Sequence, residues 1–285
     1  MGGDPLKRKF SPSRLILQVL QGALIGLGAV LPGISGGVLC VVFGIYKPVM
    51  ELLSNPFRNF KTHVPKLIPV ILGMGVGFLG VAKMLSFFLD RYPSQSVCLF
   101  VGLIGGMLPS LFREAGEQGR SKRSFLSLAI AAAIIFALLA GLKLLNVTIT
   151  PSFGWYIFCG FCLALSVIAP GMSFSTLLMP LNLYEPFVAG IGNLDFSILI
   201  PAGIGALATV ILFAKAIDML FSRHYSVSFH AIVGVVIAAT IMITPFGSIF
   251  AGILPFIVHA LCIAIGAVAA LLLDRFNHSV MAKEG

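Results

Sequence analysis

Two short breaks in an otherwise apolar sequence hold the residues best suited to chemistry. Each reads Pro-Gly-x-Ser: Pro32, Gly33 and Ser35 in the first, Pro170, Gly171 and Ser173 in the second. Proline removes a backbone donor and glycine permits a turn, so a helix over 15–31 should stop near Leu31 and a new one begin near Gly37. The first amides of that new helix have no partner within it and carry the positive end of its dipole, an arrangement suited to an anion. Ser35 adds a hydroxyl donor, and Gly36 and Gly37 let a ligand approach the backbone closely. In the second break Ser173, Ser175 and Thr176 supply hydroxyls, with the helix start expected near Ser175. The competing explanation is a pair of kinks that serve only helix packing. A polar-lined break is costly in lipid, and its presence twice favours binding.

Buried charge supplies the remaining candidates. Lys83 and Lys215 stand at matched positions deep in apolar segments, where a charge costs at least ~2.5 kcal/mol near the centre of a span. Both are candidate anion ligands. The alternative for each is snorkelling to the interface, and Lys215 also has Asp218 one turn later as a simple ion-pair partner. Lys143 lies within a turn of its segment end, where snorkelling is the expectation. Lys47 and Glu185 are matched as well, beside Tyr46 and Tyr184. Glu185 could take up a proton and couple transport to a gradient, or it could pair with Lys47; the sequence leaves both open.

Other chemistries find no support. Cys159 and Cys162 form a C-x-x-C without the strand-turn-helix context of a redox site, and read as small residues at a helix interface. The five histidines show no metal-ligand spacing, and no nucleotide-binding loop is present. No cofactor or metal is called for. The net charge of +9 would suggest nucleic acid in a soluble protein, but here the basic residues sit in short loops, as membrane orientation requires.

The elements that must position these residues follow from composition. Of 285 residues, 58% are hydrophobic and 10% charged, with mean hydropathy +1.05. Too little polar surface exists to cover a water-facing globule. The class is an all-α polytopic membrane protein, because a helix satisfies its own backbone groups in lipid. Ten apolar segments are expected, at 15–31, 37–53, 67–90, 96–112, 125–147, 153–169, 175–192, 198–221, 229–245 and 250–273.

These ten are two copies of one five-segment unit. Pro32, Gly33, Ser35, Tyr46 and Pro48 match Pro170, Gly171, Ser173, Tyr184 and Pro186 at a constant offset of 138. Pro69, Gly73, Lys83, Arg91 and Gly102 match Pro201, Gly205, Lys215, Arg223 and Gly234 at an offset of 132. The expected organisation is a basic cytoplasmic tail at 1–14, repeat 1 at 15–147, repeat 2 at 148–273 and a cytoplasmic tail at 274–285. Each repeat opens with a broken or re-entrant helix hairpin. A copy crosses the membrane three or five times, both odd, so the second copy should be inverted. The basic tail ahead of Leu15 superficially resembles a signal peptide, but residues 15–53 are echoed later in the chain, which a removable leader would not be. With both termini cytoplasmic, the basic loops at 54–66, 113–124 and 222–228 fall inside and only Arg91 falls outside. Inverted repeats with discontinuous helices are a usual build of secondary transporters.

The pattern PGISGG…GIY followed by PGMSFS…LYEP resembles the bacterial polyprenyl-phosphate transporter family, the undecaprenyl-phosphate translocases, from about Gln18 to Pro245. The resemblance implies a non-enzymatic flippase that recycles undecaprenyl phosphate from the outer to the inner leaflet of the bacterial cytoplasmic membrane for cell-wall synthesis. It implies a first break formed by Pro32, Gly33, Ser35, Gly36 and Gly37 and a second formed by Pro170, Gly171, Ser173 and Ser175. The partners would be the polyprenyl-phosphate lipid and the bilayer, with no nucleic acid. Two other readings stay in view. A transporter of a small soluble anion would use the same site. A membrane undecaprenyl-pyrophosphate phosphatase would need an arginine after the break serine and a membrane glutamate motif, but Gly36 and Phe174 follow the serines and segments 15–31 and 153–169 hold no acid.

Overall fold

The computed structural model describes residues 12–31, 39–40, 43–45, 48, 56–168 and 173–284, with the side chains of 12–14, 29, 56–62, 66, 167, 214, 215, 218 and 276–284 outside that description. The described elements are α1 (Pro12–Val30), α2 (Pro56–Arg91), α3 (Pro93–Ala115), α4 (Lys122–Leu144), α5 (Phe153–Ile168), α6 (Phe174–Leu178), a 3-10 turn (Met179–Leu181), α7 (Tyr184–Gly192), α8 (Phe196–Ile243), α9 (Phe246–Ile249) and α10 (Ile253–Glu284). Among the described residues six stretches are long and apolar enough to cross a membrane: one each in α2, α3, α4 and α10, and two in α8. Large apolar side chains such as Leu72, Val76, Ile134, Ile211 and Leu272 are exposed along them. On a membrane protein that face meets lipid tails, so its exposure costs nothing.

Several expected boundaries differ from the observed ones. The loop expected at 54–66 is helical from Pro56 as the first turns of α2, since the chain carries Pro65 and Pro69 without leaving the helix, and α10 continues through the tail expected at 274–285 to Glu284. The loop at 222–228 is instead a kink at His224 (φ −135°, ψ 42°) inside the helical run of α8. No glycine or proline lies between Ser222 and Phe229 to stop a helix, and polar side chains alone do not do so. The segment 175–192 is not one helix. Pro180 and Asn182 interrupt it, Asn182 adopting the left-handed conformation at φ 57°. Helix α6 begins at Phe174, one residue before the expected start.

Helix pairing follows the small residues. A Cβ added at Gly22 would collide with the Val70 carbonyl, and one at Gly73 with the Val19 carbonyl. The same pair of contacts recurs in the second half of the chain, where Gly160 meets Ala202 and Gly205 meets Ile157. Only glycine allows backbones this close. Gly77 against Ala23 extends the first pair in the same direction, so α1 and α2 run parallel. Phe161 against Phe213, with ring centroids 5.9 Å apart, extends the second. Helix α5 and the first half of α8 therefore also run parallel.

The later segments pack across the two halves of the chain. Gly102 and Gly106 on α3 meet Ile263 and Ala267 on α10. Gly234 on α8 meets Leu128 on α4. The fourth segment of each copy thus packs on the fifth of the other. The two fourth segments, in α3 and the second half of α8, are the most buried of the spans, and the two fifth segments are the least.

The main core is built around the interrupted hairpin. Phe174, Leu178, Leu183, Tyr184, Phe187, Val188 and Ile191 are all buried there, against Val30 of α1, Ala82 and Leu85 of α2, Phe100 of α3 and Cys159 and Cys162 of α5. Because α5 and α8 start side by side, the chain from 169 to 195 must carry the path back to its starting level. Irregular backbone in a membrane protein is tolerated where it is buried in protein or lines a cavity, and this hairpin does both: its apolar side chains are buried in the core while Asn182 and Glu185 are exposed.

Candidate functional site

The first break (Pro32, Gly33, Ser35, Gly36 and Gly37) lies outside the described residues, as do Pro170 and Gly171 of the second. What is described of the second break is its downstream edge. Ser173 has extended backbone (φ −117°, ψ 133°) at the start of α6, and no side chain caps that helix. The hydroxyls of Ser173 and Ser175 lie 2.6 Å apart as a hydrogen-bonded pair. Ser175 is fully buried and Thr176 nearly so. A short hydroxyl pair of this kind keeps one proton for its own bond and one to offer. Phe174 between them turns into the core, its ring 5.9 Å from that of Tyr184.

The first and second halves of the chain meet at Tyr184. Its side chain is 2% exposed, and its hydroxyl donates to the Val30 carbonyl over 2.9 Å. Val30 ends α1, so this carbonyl is one of those the helix itself leaves unpaired. A tyrosine of the hairpin 174–192 therefore secures the C-terminal end of α1.

Beside Tyr184 a cleft of about 490 Å³ opens. Its walls come from the end of α2 (Leu89), the start of α3 (Val97), the end of α4 with the chain after it (Leu139 to Ile149), the 3-10 turn and first turn of α7 (Met179 to Glu185), and the end of α8 (Met242, Ile243). Polar groups on these walls are Lys143, Asn146, Thr148, Asn182, Tyr184 and Glu185. Asn146 and Asn182 both have positive φ, 51° and 57°. Each closes a helical end through a backbone bond five residues apart, Val147 to Leu142 and Leu183 to Leu178. Asparagine tolerates this conformation better than most residues, which accounts for its use at both places.

The sequence candidates are thus distributed over two levels. Ser173, Ser175 and Thr176 come together at the buried break. Glu185 stands in the cleft, with its proposed partner Lys47 outside the described residues. Lys83 lies elsewhere: its backbone packs against Gly192 at the end of α7, where an added methyl would sit 3.0 Å from the Lys83 amide nitrogen, and its side chain is exposed. Lys215 belongs to α8, its side chain outside the description. Sequence reasoning set Lys143 aside and did not single out Asn146 or Asn182. Lys143 reads as a helix-end lysine, and the asparagines carried no periodicity. The one available signal was that both asparagines follow apolar runs directly, as residues closing a helix do.

The family described as "Undecaprenyl phosphate translocase-like" matches residues 6–124 and 57–254. A protein of Staphylococcus aureus named polyprenyl-phosphate transporter is 26% identical over 275 residues, covering 92% of this chain and 96% of its own. A Vibrio cholerae protein of the same name is 25% identical over 240 residues, covering 79% and 76%. No solved structure matches the chain significantly. Both names describe transport and not catalysis. With the family matching from the first helix to the start of α10, the chain belongs to the undecaprenyl phosphate translocase-like family.

Proposed function

We propose that this protein carries undecaprenyl phosphate from the outer to the inner leaflet of the bacterial cytoplasmic membrane, returning the carrier lipid for cell-wall synthesis. The observation that carries the reading is the interrupted hairpin 174–192, buried in the core of a chain that belongs to this family. The head group is a phosphate monoester with about −1.5 to −2 charges at neutral pH. Its passage through hydrocarbon without compensation is prohibitive. Hydroxyls of Ser173, Ser175 and Thr176, helix amide ends at both breaks, and Lys83 and Lys215 offset that cost. The isoprenoid tail stays in lipid while the head group moves through the protein.

The helix directions support inverted copies. Helices α3 and α4 are successive and joined by a short turn, which favours opposite directions. Helix α4 runs alongside the second half of α8, with Ser124 near Ser226 and Leu128 near Gly234. Segment five of one copy then runs with segment four of the other, as a two-fold axis in the membrane plane would give. Rocking one copy against the other provides alternating access, with Glu185 as the coupling group. With both termini cytoplasmic, the cleft beside Tyr184 faces the outer leaflet.

A leaflet-exchange assay in proteoliposomes tests this reading, with undecaprenyl phosphate and inorganic phosphate as parallel substrates. Exchange of the lipid is expected. Transport of inorganic phosphate without lipid exchange would convert the assignment to a soluble-anion carrier.

A further inference from the structure

The cleft beside Tyr184 carries opposite charges from opposite copies. Lys143 comes from α4, the last segment of the first copy, and Glu185 from the first turn of α7, in the second. Among the described residues they are the only charged side chains lining the cleft. The end of α2, the start of α3 and the end of α8 contribute apolar side chains only: Leu89, Val97, Met242 and Ile243. Both charged side chains are exposed, and among the described residues neither has an ion-pair partner; the ion pair found there is Arg113 with Asp274.

The geometry points to a latch: Lys143 and Glu185 pair across the cleft when it closes, and part when it opens to admit the lipid head group. This rests on the proposed transport and adds to it a gating pair, one partner of which is a lysine otherwise explained as snorkelling. Two unlike charges facing one water-filled cleft attract weakly while apart, and more strongly as closure expels water between them. The pair is also tied to the breaks. Glu185 directly follows Tyr184, whose hydroxyl holds the Val30 carbonyl at the end of α1. Drawing the first turn of α7 toward α4 therefore pulls on the helix that leads into the first break. The competing explanation for Lys143 is stabilisation of the α4 C-terminus by its charge alone, which requires no Glu185.

Two experiments separate these. Zero-length carbodiimide cross-linking of the reconstituted full-length protein should join Lys143 to Glu185, detected as a linked peptide by mass spectrometry and absent in Glu185→Gln. In the exchange assay, Lys143→Glu and Glu185→Lys should each slow undecaprenyl phosphate exchange about tenfold, and the double exchange of charges should return it to within about threefold of wild type. Both positions are exposed, so an unchanged melting temperature is expected and confirms folding. Absence of the cross-link overturns the latch, as does a double variant whose loss is the product of the single losses. If the wild-type protein exchanges no undecaprenyl phosphate, the transport reading fails, and the cross-link still decides the latch.

Discussion

The hydroxyl of Tyr184 donates to the carbonyl of Val30 over 2.9 Å, across 154 residues of sequence. Tyr184 belongs to the second copy's hairpin, and Val30 ends the helix before the first copy's break. The bond ties the hairpin 174–192 to the end of α1 through a single buried contact. Tyr184→Phe keeps the ring in place against Phe100 and Phe174 and leaves a buried carbonyl without its partner. A loss of about 1–3 kcal/mol is expected, since an unpaired buried acceptor retains its full desolvation cost. Thermal melting in detergent measures it, and an unchanged melting temperature would show that the bond contributes nothing.

The hydroxyl pair at the second break tests the binding site. Ser173→Ala should weaken undecaprenyl phosphate binding about tenfold, the scale of one charge-assisted hydrogen bond, with the melting temperature nearly unchanged. Ser175→Ala should act in the same direction, because the two hydroxyls share one bond. Titration of the purified variants with the lipid measures both. Wild-type affinity in both would remove this break from the site.

The two lysines of the first copy should differ in kind. Lys83→Met is expected to reduce lipid affinity. Lys143→Met should slow exchange more than it weakens binding, as a gating residue does. Equilibrium binding alongside leaflet exchange distinguishes them, and the reverse pattern would exchange their roles.

Glycine positions divide into two groups with opposite signs. A side chain at Gly73 or Gly205 drives into the backbone of Val19 or Ile157. Gly73→Leu and Gly205→Leu should each separate a helix pair and destabilise by roughly 3 kcal/mol or more, above the usual cost of overpacking because backbone cannot yield. Gly75 and Gly203 face open space. Their alanine variants should be neutral or gain up to about 1 kcal/mol from helix propensity. Unfolding of the four proteins in one detergent compares them directly.

The expected duplication rests on Pro32, Gly73 and Gly102 and their later counterparts, because turns and backbone contacts admit few residue types. The glycine pairs at 22 and 26, 73 and 77, and 102 and 106 are spaced about one helical turn apart, the pattern of close helix contacts, and each lies against a neighbouring backbone. The kink at His224 left no such mark: a single non-helical residue within the run needs no breaker. The cleft was equally hidden, since Leu89, Lys143, Asn182 and Ile243 converge only after the fourth and fifth segments have exchanged partners between copies.

Composition and pattern alone therefore determined an all-helical chain with stretches apolar enough to cross a membrane, and the helix start after the second break to within one residue, because hydrophobic length and backbone sterics act locally. Which side chains share a cavity was decided by the tertiary structure. Lys143 and Glu185 stand 42 positions apart in the chain, and helix packing alone brings them to one cleft.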